Sequence, residues 1–202
     1  MKKIKITSED EMVLEFLKME LNSDRFSNEI LRVLKDMGLD ETLITKGNLL
    51  DSNENETRSK ILGDFRGYKQ NKDLFENFPN NISWYWAILE AEDLSKIKYV
   101  NYSYWNKLSN YTSSPLEAAK TIVSGKEIYD VSNEGFLKAL DYLRTGKKFP
   151  PLILLTDMNN DDLIILEGHK RITAYAIDPS YFKNVSALIG FCSSEDLANW
   201  KS

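Results

Sequence analysis

The spacing of apolar residues changes character near residue 82. Upstream it is helical. Val13, Leu14, Leu17 and Leu21 share one face behind Ser8 and Glu11, which read as a capping box. Ile30, Val33, Leu34 and Met37 make a second stripe, closed by Gly38 in the manner of a C-terminal glycine cap. Asp51-Ser52 reads as the start of a third helix running to about Gly63. Glycine, asparagine and proline up to Asn81 then mark a connection. The pattern divides the chain into a helical N-terminal subdomain (1–66), a connecting loop (67–81) and an α/β domain (82–202).

Downstream, strand formers and helical stripes alternate. Ile82–Leu89 and Lys98–Tyr102 are candidate strands, rich in aromatic and β-branched residues. Ser114-Pro115-Leu116-Glu117 carries a helix cap, a first-turn proline and a capping-box glutamate, and that helix should end at Gly125. A further helix spans Asn133–Arg144, with Phe136, Leu137, Leu140 and Leu143 inward and Gly146 just beyond. Leu152–Thr156 and Leu163–Leu166 are aliphatic runs flanking the polar turn 157–162, which reads as a β-hairpin. A strand near Val185–Phe191 and a helix near Glu195–Trp200 complete an α/β (α+β) arrangement, a small mixed sheet with flanking helices.

The second hairpin strand stops at Glu167-Gly168, and a helix starts with Ile172, Tyr175 and Ala176 on its buried face. A glycine at such a junction lets backbone approach a ligand, and the free amides of a helix start attract anions. His169, Lys170 and Arg171 add donors and charge there. Arg171 offers a planar two-point grip on phosphate, Lys170 a point charge.

Glu167-Gly168-His169-Lys170-Arg171 resembles the signature of the ParB/sulfiredoxin-like superfamily, over residues 82–192. The form most similar is that of the free-serine kinase branch, Asp-Gly-His-His-Arg, with Glu for Asp and Lys for the second His. Against the ParB form, Gly-Glu-Arg-Arg, Gly168 and Arg171 match, Lys170 is conservative and His169 replaces the glutamate, which sets the chain apart from ParB-type CTP hydrolysis. His169 stands where sulfiredoxin carries its catalytic cysteine, which argues against sulfinic-acid reduction. The resemblance implies a nucleotide or phosphate pocket around Gly168–Arg171, with ATP or CTP and Mg²⁺ as the expected ligands.

Composition narrows the chemistry. The net charge of −5 argues against a DNA-coating role, which depends on basic surface. One cysteine (Cys192) and one histidine leave no internal disulfide, no cysteine zinc site, no iron–sulfur cluster and no histidine-rich metal site. Cys192 itself reads as a small hydrophobe. The start, Met1-Lys2-Lys3-Ile4-Lys5, precedes no long apolar run, so the expectation is a cytoplasmic protein without signal peptide or membrane span.

The candidate catalytic groups are Glu167, as base, and His169, as acid, base or phosphate donor; Glu167 could equally cap the helix or pair with Arg171 four residues on. Gly168, His169, Lys170 and Arg171 are the candidate phosphate contacts, joined by Arg66 from a glycine-bracketed loop and by Ser114 at a helix start, where capping is the simpler role. Trp84, Trp86 and Trp105 are candidate base-stacking rings, although Trp84 and Trp86 share a strand face and read more readily as core. The leading expectation is nucleotide-dependent phosphoryl chemistry, as phosphotransferase or nucleotide hydrolase, on a small molecule. The alternatives are a non-catalytic nucleotide- or protein-binding switch, whose N-terminal helices carry a protein partner or a second copy, and a ParB-like nuclease or DNA-binding protein.

Overall fold

The computed structural model describes residues 1–23, 25–159 and 161–201, the Lys201 side chain excepted. One six-stranded mixed sheet, with helices on both faces, organises the chain. Its strands are β1 (Lys2–Thr7), β2 (Ser83–Leu89), β3 (Ile97–Tyr99), β4 (Leu152–Thr156), β5 (Leu163–Glu167) and β6 (Val185–Phe191), in the order β1-β2-β6-β4-β5-β3. The β4–β5 hairpin is antiparallel, β6 lies parallel to β4, and β3 lies parallel to β5.

The aliphatic runs of β4 and β5 follow from burial on two sides. Ile153, Leu155, Ile164 and Leu166 face one layer, made of α1 (Glu9–Leu21), α2 (Ser27–Asp36), the short α3 (Thr42–Thr45) and α4 (Ser52–Arg66). Leu152, Leu154, Leu163 and Ile165 face the other, which contains α5 (Ser103–Leu108), α6 (Pro115–Val123), α7 (Glu134–Arg144) and α8 (His169–Ile177). The last helix, α9 (Ser194–Lys201), buries Leu197 and Trp200 on the first side. No helix among the described residues is long and apolar enough to cross a membrane.

Several expectations need local correction. The strand β1 lies within the stretch expected to be helical, and it pairs with β2 at the sheet edge while its own residues stay largely exposed. Alternating lysine and isoleucine, with both exposed, gives no burial period to read. Ser8 does accept the Glu11 amide (3.1 Å), but the Glu11 carboxylate takes the Thr7 hydroxyl, so only half of the capping box forms. Helix α4 passes through Gly63 and ends at Gly67, whose φ of +84° provides the left-handed stop. Arg66 is therefore the last helical residue, not a loop residue. Strand β3 stops at Tyr99 because α5 begins almost at once. Ser114 precedes α6 without capping it through its side chain. Leu137 is 46% exposed and turned away from the α7 core face. Trp84 and Trp86 both pack in the first core, as their shared strand face implies.

The first layer has an internal clamp. The Arg58 side chain on α4 is fully enclosed and donates to the Leu43 carbonyl (3.0 Å), the Asn48 carbonyl (3.0 Å), the Glu54 carboxylate (2.8 Å) and the Asn55 amide oxygen. These bonds engage both terminal nitrogens of the buried guanidinium, which makes its burial tolerable although Nε has no partner.

Candidate functional site at the start of helix α8

Glycine is required at residue 168 for two reasons. Its φ is +112°, and a Cβ there would lie 2.6 Å from Leu152 Cδ2. Lacking a side chain, Gly168 cannot cap α8, whose first helical bond runs from Ile172 N to Gly168 O (2.9 Å). The first-turn amides therefore lack a cap from that residue and present the positive end of the helix.

The three residues after Gly168 diverge. The Arg171 Nη1 donates to the carbonyls of Pro150 (2.9 Å) and Pro151 (2.6 Å), where the chain enters β4. Its Nη2 donates to Glu167 (2.8 Å) and touches Met19 Sδ (2.8 Å) on α1. The two-point fork is thus directed at the chain's own carbonyls and carboxylate. Lys170 is exposed and runs toward the start of α7, where its Nζ lies 3.4 Å from the place of a Cβ on Gly135.

His169 turns inward to an aromatic stack. Its ring lies 5.0 Å from Trp105 at 25° and 5.9 Å from Tyr99 at 11°. The Tyr99 hydroxyl shares a 2.6 Å hydrogen bond with Thr173, whose own hydroxyl lies 2.6 Å from the His169 carbonyl. Burial, followed by the charges of Arg66 and Arg171, pushes the His169 pKa down to about 3. The ring is neutral at physiological pH, and its Nε2 is buried without a hydrogen-bond partner.

Arg66 comes to this place from α4. Its guanidinium sits 4.9 Å from the Phe26 ring, its charge acts on His169, Glu20 and Tyr102, and its Nε is also buried and unpartnered. Arg66 Nε and His169 Nε2 are two of seven buried side-chain polar atoms without a partner among the described residues, and these two belong to side chains whose charges interact. Ser114 stands one residue beyond Ser113, whose carbonyl accepts from Tyr99 N (2.8 Å), so the start of α6 borders the same sheet end.

Comparison with family models, curated proteins and solved structures gives no match to this chain.

Glu20 went unread in the sequence. It is 4% exposed on α1, and its pKa rises to about 8, first through burial and then through the charge of Glu167. Arg66, Arg171 and Arg25 counter that rise without cancelling it. The signal was available: Val13, Leu17 and Glu20 are spaced four and three apart, so the helical period places an acid on the buried face. The cluster therefore brings the Arg66 and Arg171 guanidinium groups together with Glu167 and with Glu20, whose buried carboxyl is largely protonated near neutral pH.

The donor set does not suit a resident divalent metal. Glu167 is held by Arg171 and Glu20 keeps its proton, and no group of three or more metal-ligating side chains occurs among the described residues. Cys192 lies apart from this cluster, buried against the Thr156 carbonyl (3.6 Å), and burial with nearby Asp196 and Asp157 pushes its thiol up to about 11.

Proposed function

We propose that the chain binds a nucleotide or another phosphate-bearing small molecule at the start of α8. The observation that carries this reading is the pair of orphaned nitrogens, Arg66 Nε and His169 Nε2, beside a helix N-terminus that opens on a left-handed glycine. An anion supplies the missing acceptors and meets the positive helix end.

The residues divide the work. Gly168 admits the phosphate to the backbone amides of His169 and Lys170. Arg66 supplies the charge-assisted contact, and neutral His169 donates a hydrogen bond through Nε2. Lys170 and the Ser114 hydroxyl serve the outer phosphate oxygens once Lys170 leaves the start of α7. Arg171 acts indirectly: it fixes Glu167 and the entry to β4, and so holds the glycine turn in place.

The ParB/sulfiredoxin-like relationship is part of the same proposal. It is supported by the sequence β4, β5, glycine, α8 and β6, in which β6 returns beside β4. Phosphotransfer or nucleotide hydrolysis follows if Glu167 accepts a proton from the attacking hydroxyl or water while Glu20 stays protonated, with catalysis resting on positioning and charge. Magnesium enters as part of the nucleotide substrate, since no group of three or more metal-ligating side chains occurs among the described residues.

A second reading, a non-catalytic switch, is favoured by one feature. The cluster joins α1 and α4 of one layer to β5 and α8, so occupancy of the site reports directly to the N-terminal helices. A thermal-shift series with ATP, CTP and inorganic phosphate, with and without magnesium, separates the readings when followed by phosphate-release assays. Stabilisation with turnover supports the enzyme, stabilisation without turnover supports the switch, and no shift with any of the three overturns the phosphate site.

A further inference from the structure

A second concavity lies away from α8, between the loop that precedes β2 and the helix α9. Its volume is about 760 Å³, within the range of small-molecule sites. Five of its thirteen lining residues are asparagines: Asn71, Asn77, Asn80, Asn81 and Asn199. A smaller cleft of about 200 Å³, lined in part by Tyr102 and Trp200, shares Asn77 and Asn199 with it.

The walls are braced. Phe75 packs edge-on against Tyr68 (5.0 Å) and Phe78 (4.8 Å), and Phe78 against Trp200 (5.5 Å). The Trp200 indole donates to the Leu74 carbonyl (3.0 Å), which ties α9 to the loop. The Tyr68 hydroxyl donates to Glu9, and the Asn77 amide donates to the Asn71 side chain (2.8 Å). The loop holds Lys69, Asn71, Asp73, Asn77 and Asn81 at positive φ, between 49° and 58°. Four of these five are Asn or Asp, which tolerate the left-handed region in turns, so the loop is a series of turns held in place by the ring contacts and the Trp200 hydrogen bond.

The lining selects a ligand class. Lys69 is the single cation of the lining against Glu9 and Asp196, which disfavours phosphate. Two carboxylates, one already bonded to Tyr68, do not make a cation cage. Amide side chains donate and accept side by side, which matches hydroxyl groups that also do both. The partly buried Phe78 ring gives the C–H face of a sugar an apolar wall.

We propose that this groove binds an uncharged, hydroxyl-rich small molecule of the mono- or disaccharide class. The site stands independently of the phosphate reading at α8. The probes are glucose, galactose, N-acetylglucosamine and maltose, each titrated into ¹⁵N-labelled protein, with inorganic phosphate as the charged control. The expected result is saturable shifts from at least one sugar, confined to residues 69–81 and 196–199. Asn80→Ala with Asn199→Ala should weaken that binding about tenfold or more, with the cooperative melt retained. If the double variant does not fold, Asn80→Ala alone provides the same reading. Absence of shifts with all four sugars, shifts scattered outside the groove, equal shifts with phosphate, or unaltered affinity in the folded variant overturns the proposal.

Discussion

Arg58 and Arg171 make similar bonds in different company. Each is a largely buried arginine that donates to two backbone carbonyls and to a glutamate four residues away, before Arg58 and before Arg171 alike. Arg58 closes a local loop: its partners lie within residues 43–55, and Glu54 is lowered in pKa by the Asn48 amide and then by Arg58, as an ordinary paired carboxylate should be. Arg171 instead joins α1, the entry to β4, the end of β5 and α8, and around it stand a carboxyl that keeps its proton, a neutral histidine and an unpartnered Arg66 Nε. The difference teaches that hydrogen-bond geometry alone does not separate the two arginines. Arg58 Nε is itself buried without a partner, so what distinguishes the second region is its charge-shifted company, Glu20 raised and His169 lowered in pKa, a departure of the kind expected at sites.

The comparison is broken most severely by removing the purely structural member. Arg58→Met should cost about 3–5 kcal/mol, because Glu54 and two carbonyls lose their buried partner, and nucleotide affinity of the folded fraction should not change. Urea denaturation provides the first quantity, and calorimetry on the remaining native protein the second. Arg171→Ala should cost less, about 1.5–3 kcal/mol for its charged hydrogen bonds. Arg171→Lys should recover little of that, since one ammonium cannot reproduce a fork spread over Pro150, Pro151 and Glu167. Full recovery by lysine in the same denaturation series would mean that charge alone matters there.

A pH series sharpens the contrast. Glu20 moves from an ordinary 4.5 up to about 8, so the folded state retains a proton that the unfolded chain releases between those values. Its stabilising contribution is full below 4.5 and is lost as pH rises toward 8. His169 moves the other way, from 6.5 down to about 3, so its contribution is full above 6.5 and is lost as pH falls toward 3. Glu20→Gln keeps the uncharged shape. It should flatten the alkaline decline and leave the variant more stable than the parent above pH 8, by on the order of 1–3 kcal/mol. An unchanged slope in denaturation midpoints between pH 5 and 8 would place that proton elsewhere. The smallest effect belongs to Cys192→Ala, about 1 kcal/mol from lost packing, with no change in nucleotide binding, since a thiol pushed up to about 11 is not a thiolate near neutral pH.

Much of the fold was legible because burial leaves a period. The runs of β4 and β5, the stripe of α1 and the stops at Gly38, Gly125 and Gly146 all express it, each of those glycines having positive φ. What escaped was structure without a period. β1 is exposed on its surface, Arg58 is a charged residue on a helix of mixed character, and the end of α4 carried two glycines of which only Gly67 needed positive φ. At the proposed site, Gly168 was readable because a strand-to-helix turn demands it, and the charge of Arg66 acts on His169, the residue after it. The direction of Arg171 was not, because the carbonyls that claim it come from residues 150 and 151, folded back by the hairpin. Lys170 likewise answers to α7, a neighbour known only in three dimensions.

The central claim, that an anion completes the orphaned donors at α8, is tested most directly by calorimetric titration of ATP and CTP into the parent protein and Arg66→Ala. Arg66 packs its guanidinium over the Phe26 ring rather than clamping carbonyls as Arg58 does, so the variant should stay folded by circular dichroism while losing about 1.5–3 kcal/mol of binding free energy, the scale of a charge-assisted hydrogen bond. Binding of neither nucleotide by the parent, or equal affinity in a folded Arg66→Ala protein, would contradict the account.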